Sequence, residues 1–272
     1  MASLAEAISC IDEKPEIRHV VSISGGKDSA ALAVYLKETY PELPAEYVFC
    51  DTGTELPETY EFLAKLEAVL GKPIQRVNAL QMMKVREKPG RTAFDWVLKE
   101  RYGGYLPNPR MRWCTRVLKI QPFEYFIGNS EAFSYIGIRA DENREGYQPN
   151  KKPPALSQKQ NIIPVYPFKD DGIRYPEVEG ILENSGLGFP DYYRWRSRSG
   201  CYFCFYQQKG EWQGLLKEHP DLFEKAKQYE KSGGKNKFTW VDGRTLDELE
   251  VDQREYPVQD VDEADGCAIC HL

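Results

Sequence analysis

No apolar stretch in this sequence approaches the roughly 20 residues that a membrane-crossing helix needs, so no membrane partner is expected. The N-terminal run MASLAEAISCIDEK lacks a basic segment followed by an apolar one, and no signal peptide is predicted; a cytoplasmic location follows. Positive charge is not in excess either. Against 36 Lys and Arg stand 42 Asp and Glu, a net charge of −6 that argues against a generally basic nucleic-acid binder while leaving room for a local basic groove. The seven cysteines are an odd count without a secretion signal, so their C-x-x-C spacings suggest metal or redox chemistry rather than structural disulfides. His19 and His219 stand apart from any ligand pattern and receive no role.

What is present is enough apolar material, 41% of 272 residues, for one large α/β domain with a smaller region beside it. The organising stretch is Val20 to Ser29. Its β-branched run (Val20, Val21, Ile23) reads as a buried parallel strand, ends in Ser24-Gly25-Gly26-Lys27-Asp28-Ser29, and passes straight into the helix-forming Ala30 to Leu36. Glycines let backbone N–H groups approach phosphate oxygens, and the open N–H groups of the new helix point to the same place. Lys27 adds positive charge, and Ser24 and Ser29 add hydroxyls. The Walker A pattern is absent, because here the lysine follows a glycine pair and precedes an aspartate.

The S-G-G-K-D-S string resembles the PP-loop of the ATP pyrophosphatase (adenine nucleotide α-hydrolase) superfamily. That resemblance implies a Rossmann-like parallel sheet flanked by helices, and an enzyme that splits ATP between its α and β phosphates with Mg²⁺. Three further strings resemble the phosphoadenylylsulfate-reductase-like branch. Glu46 to Cys50 reads as a second strand running into D-T-G-T-E-L-P-E-T, where Asp51, Thr52 and Glu55 are nucleotide- or Mg²⁺-binding candidates; a helix cap by Thr54 or Asp51 is the alternative. The string C-T-R-V-L-K-I-Q-P begins at Cys114. Ser134 to Ile138 reads as another strand, followed by G-I-R-A-D-E-N-R with Gly137 and Arg139, where Arg139 faces the phosphates; a structural ion pair of Glu142 with Arg139 or Arg144 is the alternative. From the resemblance, Lys27, Asp28 and Arg139 are the catalytic candidates. Ser22, Ser24, Gly25, Gly26, Lys27, Asp28, Ser29, Asp51, Thr52, Glu55, Gly137 and Arg139 are expected to bind the nucleotide.

The chain divides softly near residue 170, into a PP-loop domain (1–170) and a cysteine-containing C-terminal region (171–272). Ile162 to Phe168 reads as an edge strand, given its prolines. Tyr192 to Lys209 alternates Arg194, Arg196 and Arg198 with aromatic residues. Such alternation suits nucleic acid, with arginine on phosphate and rings on bases, and it equally suits a strand with one packed face. Glu211 to Tyr229 reads as one helical run and Phe238 to Val241 as a strand.

Two C-x-x-C pairs, Cys201–Cys204 and Cys267–Cys270, join Cys114 as thiol ligands for one centre. Thiolates hold zinc and iron–sulfur clusters alike, so spacing does not choose between them. The resemblance implies a [4Fe–4S] cluster, with Zn²⁺ the alternative, on Cys114, Cys201, Cys204 and either Cys267 or Cys270. It also implies sulfur delivered by a cysteine desulfurase to a nucleic-acid oxygen activated as an adenylate, within a larger modification complex. The leading expectation is the sulfur-transfer type of DNA phosphorothioation systems (DndC and SspD). A tRNA thiolase comes next, then a sulfonucleotide reductase, whose E-C-G-L-H-type motif differs from the C-A-I-C-H-L tail here, or a non-catalytic ATP-binding subunit.

Overall fold

The computed structural model describes residues 2–142, 157, 159–231 and 238–259. In chain order, α1 (Leu4–Glu13) leads into β1 (Arg18–Ile23), α2 (Lys27–Thr39), β2 (Ala45–Cys50), α3 (Pro57–Leu70) and β3 (Ile74–Val77). Short helices α4 (Ala79–Met82), α5 (Ala93–Glu100) and α6 (Trp113–Thr115) follow, and a π-turn at Arg116–Ile120 carries the chain into α7 (Gln121–Ile127). Next come β4 (Ala132–Tyr135), β5 (Ile162–Val165), α8 (Pro167–Asp170), α9 (Tyr175–Asn184), a 3₁₀ turn at Asp191–Arg194, α10 (Lys209–Glu218), α11 (Pro220–Lys231) and α12 (Leu246–Glu250).

The sheet runs β3-β2-β1-β4-β5 with every pairing parallel, as the alternation of β-branched runs and helical stretches predicts. Both faces of β1 are buried, which is why it reads as a nearly continuous apolar run. Val21 and Ile23 pack on one side with Leu32 and Leu36 of α2 and Leu63 of α3, while Val20 packs on the other with Phe123 and Ile127 of α7. Each fully buried leucine of this kind contributes about 1.5–3 kcal/mol. From β1 the chain moves outward through β2 and β3, then crosses back to place β4 on the opposite side of β1. The crevice at the carboxyl ends of β1 and β4 is therefore a topological switch point, where open α/β sheets bind ligands.

A second apolar cluster draws on both halves of the sequence. Leu56, Phe94 and Trp113 pack in it with Tyr202, Phe203, Trp212 and Trp240. Phe94 and Phe203 lie 4.5 Å apart between centroids, and Trp240 stacks on Phe203 at 5.1 Å.

Four local expectations are corrected. The cation–aromatic run from Tyr192 is no strand but a 3₁₀ turn followed by bends, and Phe238 to Val241 forms only a turn closed by a Val241–Arg244 bridge. The edge strand β5 stops at Val165, because Pro167 opens α8, where its missing N–H costs nothing. The single helical run after Glu211 is two helices, broken at His219 by Pro220.

Candidate functional site

The β1–α2 turn is built by its glycines. Gly25 sits at φ +78°, a conformation that favours glycine, and a Cβ there would lie 2.5 Å from Thr59 Cγ2. A Cβ on Gly26 would lie 2.7 Å from Ser199 Oγ. Ser29 Oγ accepts from the Ser24 N–H at 3.0 Å, lies 2.9 Å from Ser24 Oγ, and donates to Gly26 O at 3.2 Å, so the two serines brace the loop. Gly26 has no side chain to cap α2, and the first-turn N–H of Lys27 is met by Tyr193 OH across a long 3.4 Å, a bond that an anion in the loop can replace. Ser22 lies inside β1 instead, buried, with no hydrogen-bond partner for its hydroxyl among the described residues.

Two cations converge here on one carboxylate. Lys27 Nζ lies 2.9 Å from Asp28 Oδ2, and Arg139 Nη1 lies 2.8 Å from Asp28 Oδ1; all three residues are buried. Arg139 also meets Asp141 (3.0 Å) and Glu142 (3.3 Å), so the alternative Arg139–Glu142 ion pair is present beside the loop, while Arg144 lies outside the described residues. Gly137 permits the close approach of the two turns: a Cβ on it would lie 3.0 Å from Asp28 O. Charges buried this deeply are costly unless paired, and here the pairing keeps Lys27 and Arg139 beside the loop.

The second turn, after β2, is a network of hydroxyls and carboxylates. Asp51 Oδ1 accepts from Gly53 N–H (2.8 Å) and Tyr60 OH (2.9 Å), so this carboxylate caps its own turn in addition to lying at the strand end. Thr52 donates to Glu55 Oε1 at 2.7 Å, and Glu55 Oε2 accepts from Thr54 N–H (3.1 Å) and Tyr60 OH (3.3 Å). Burial, reinforced by the charge on Asp51, pushes the Glu55 carboxyl up to about 7.

Cys201 is brought directly against this network. Its Sγ lies 3.4 Å from Thr52 Oγ1, and its backbone bridges Glu55 while Tyr202 N–H donates to Thr54 O at 2.9 Å. Burial pushes the Cys201 thiol up to about 11, with the Glu55 charge adding to the effect. Arg196, read from sequence as a phosphate or strand residue, is fully buried: its guanidinium donates to Gly200 O (3.1 Å) and Cys201 O (2.8 Å) and shapes the cysteine turn. A small cavity lined by Ser24, Cys50, Glu55, Lys119 and Gly200 separates the loop from this thiol region.

Residues 18–170 match the family model described as the phosphoadenosine phosphosulfate reductase domain, more than half of the chain. The chain belongs to this family. Among curated relatives of the reductase-like chain, an uncharacterized protein of Methanocaldococcus jannaschii is 26% identical over 212 residues, covering 76% of this chain and 40% of its own length. The tRNA-specific 2-thiouridylase of Lactobacillus delbrueckii subsp. bulgaricus is 27% identical over 195 residues, covering 64% of this chain and 50% of that protein. This chain thus spans about half or less of the length of these relatives. The solved U34-tRNA thiolase of Methanococcus maripaludis, with its [4Fe–4S] cluster, aligns at a TM-score of 0.42 and 13% identity, covering 90% of this chain and 86% of that one.

For a metal centre, the donor chemistry fits thiophilic metal. Cys114, Cys201 and Cys204 are half-buried thiols, and Cys114 and Cys201 flank the same apolar cluster. Cys201 and Cys204 share one turn, closed by Cys204 N–H donating to Cys201 O at 3.1 Å. Among the described residues no group of three or more His, Cys, Asp or Glu is drawn within ligating range, and Cys267 and Cys270 lie outside them. No described helix is long and apolar enough to cross a membrane.

Several site residues carried no sequence signal that pointed to this role. Tyr192 OH donates to Gly25 O at 2.7 Å, and Tyr193 OH accepts from Lys27 N–H at 3.4 Å, although both belong to the run read as alternating either for nucleic acid or for a half-packed strand. Thr54 and Tyr60 complete the Glu55 network. His219, left without a role, lies 2.7 Å from Glu58 at the start of α3.

Proposed function

We propose that this chain is an ATP pyrophosphatase that activates a nucleic-acid oxygen as an adenylate for replacement by sulfur. The observation that carries the reading is the convergence of Lys27 and Arg139 on Asp28 at a glycine-built helix start. Such a site stabilises an anion whose charge grows during reaction. When ATP transfers its AMP moiety to an acceptor oxygen, the bond between the α phosphorus and the α–β bridging oxygen breaks, and pyrophosphate leaves with added charge. Donors already fixed around that position lower the barrier without reorganising. Lys27 and Arg139 would hold the leaving pyrophosphate, Asp28 orients both cations, and the first-turn N–H groups of α2 complete the cradle. Carboxylates at the switch point, Asp51 and Glu55, are the candidates for Mg²⁺ or ribose contacts.

Sulfur at the sulfide level, released from the desulfurase persulfide by a thiol reductant, then displaces AMP: its bond to the activated atom forms as that atom's bond to the AMP-bearing oxygen breaks. The thiols Cys114, Cys201 and Cys204, with Cys267 or Cys270 as a fourth ligand, would hold a [4Fe–4S] cluster or zinc ion that supplies a binding site for sulfur. A cysteine desulfurase and further components of a modification complex are the proposed partners. The DNA backbone is the first acceptor proposed, on the resemblance to phosphorothioation proteins. A second reading, tRNA thiolation, is favoured by the similarity to a tRNA-specific 2-thiouridylase.

Release of AMP and pyrophosphate from ATP-Mg²⁺ tests the reading, using protein purified without oxygen, alone and with single-stranded DNA, duplex DNA or unmodified tRNA. Turnover raised by DNA and not by tRNA supports phosphorothioation, and the converse supports tRNA thiolation. ATP binding without pyrophosphate release under every condition would leave a non-catalytic ATP-binding protein.

A further inference from the structure

The family match ends at residue 170, yet the loop that should receive phosphate is covered by residues beyond it. Tyr193 OH accepts from the Lys27 backbone N–H at 3.4 Å. The rings of Tyr193 and Tyr175 both lie over Lys27 Nζ, at 5.5 and 5.6 Å, and Tyr175 also faces Arg139 at 5.4 Å. Gly26 is walled by two hydroxyls of the same segment, because a Cβ there would meet Ser199 Oγ at 2.7 Å and Tyr193 OH at 3.3 Å. Tyr192 adds a bond to Gly25 O.

One N–H makes one well-aligned hydrogen bond, so a phosphate oxygen accepting from Lys27 N–H must take the place of the Tyr193 hydroxyl. That exchange is favourable: a long neutral bond gives way to a charge-assisted one. The displaced residue does not move alone. Eight residues on, Cys201 is fastened to the other nucleotide turn through its bridge to Glu55, and Tyr202 N–H holds Thr54 O. Between the two lies Arg196, whose guanidinium ties the 3₁₀ turn to the carbonyls of Gly200 and Cys201.

We propose that Tyr193 is a positioning residue of the anion site: its hydroxyl holds the phosphate's place at Lys27, and its displacement on anion binding is passed along residues 193–204 to the cysteine turn. Resting on the phosphate-site reading above, this goes beyond it by joining nucleotide occupancy to the state of the thiols through a segment the family match does not include. Sulfur chemistry at Cys201–Cys204 is thereby timed to a loaded loop.

The experiment uses inorganic pyrophosphate with Mg²⁺ as the probe, calorimetry for affinity, and hydrogen exchange by mass spectrometry over residues 191–206. In the wild-type protein, saturation with pyrophosphate should speed amide exchange across this segment. Tyr193→Phe keeps the ring over Lys27 and removes only the competing oxygen, so pyrophosphate should bind about two- to fivefold more tightly, the range expected for losing one weak hydrogen-bond competitor. Its exchange without ligand should already resemble that of the loaded wild type. Wild-type protein that binds pyrophosphate with unchanged exchange over 191–206 overturns the relay. Weaker binding by Tyr193→Phe overturns the place-holder, since the hydroxyl would then be a phosphate ligand. Failure of the wild type to bind pyrophosphate would instead remove the phosphate-site reading itself.

Discussion

Glu55 offers the sharpest test of the site's electrostatics, because its environment makes a prediction of defined sign. Burial and the Asp51 charge raise its carboxyl from 4.5 to about 7 in the folded protein. Between those two values the folded state binds more protons than the unfolded one, so stability from this group is present at low pH and falls as pH rises towards 7. From pH 5 to pH 8 the loss is about 2.5 kcal/mol, at 1.36 kcal/mol per pH unit. Glu55→Gln removes that dependence. The amide keeps the acceptor for Thr52, but its NH₂ replaces the oxygen that accepts from Thr54 N–H, at a cost of about 1 kcal/mol. The variant should therefore be level with wild type near pH 5 and about 2 kcal/mol more stable at pH 8. Urea denaturation at both pH values, followed by tryptophan fluorescence, reads this directly. A variant offset from wild type by the same amount at pH 5 and pH 8 would refute the account, since a lost contact alone carries no pH dependence in this range.

Other changes have equally definite consequences. Asp28→Asn leaves Lys27 buried without its carboxylate and should cost about 3 kcal/mol in the ligand-free protein. Pyrophosphate, by supplying the missing negative charge, should raise that variant's melting temperature more than the wild type's; equal shifts would count against the charge network. Gly25→Ala, strained by its φ and driven against Thr59, should weaken pyrophosphate binding at least tenfold. Gly71→Ala, at φ +67° but with nothing within 4 Å, should cost only about 1–2 kcal/mol and leave binding unchanged, as calorimetry on both would show. Arg196→Lys forfeits the bonds to Gly200 O and Cys201 O, and elemental analysis of anaerobically purified protein should find less iron or zinc per chain. Metal content equal to wild type would separate Arg196 from the cysteine turn.

What could be read from the chain follows the range of the physical demand behind it. The PP-loop is legible because each of its requirements is local: β-branched residues for a strand buried on both faces, a glycine at the positive φ of Gly25, and hydroxyls within five residues of one another. The alternation of strands and helices then dictates a parallel sheet, which brings Asp51, Gly137 and Arg139 to the ends of strands beside the loop. Nothing local announces that Tyr193 will meet Lys27 across 166 residues of chain. The run Y-Y-R-W-R-S-R-S is periodic in the manner of a strand, but its period has a different cause. Tyr192 and Arg196 turn inward because one must reach Gly25 O and the other the carbonyls before Cys201, while Arg194 remains at the surface. A pleat would set residues 192, 194 and 196 on one face, whereas here the first and third are buried by two separate hydrogen-bonding targets and the second is exposed. The same limit explains His219, isolated in sequence yet paired with Glu58 at the first turn of α3. Residues that build a turn leave their mark on neighbouring positions, whereas residues that close over it from elsewhere leave a mark only on the turn they touch. In this chain that mark is Gly26, a glycine in extended backbone that steric demand from Ser199 and Tyr193, and not φ, requires.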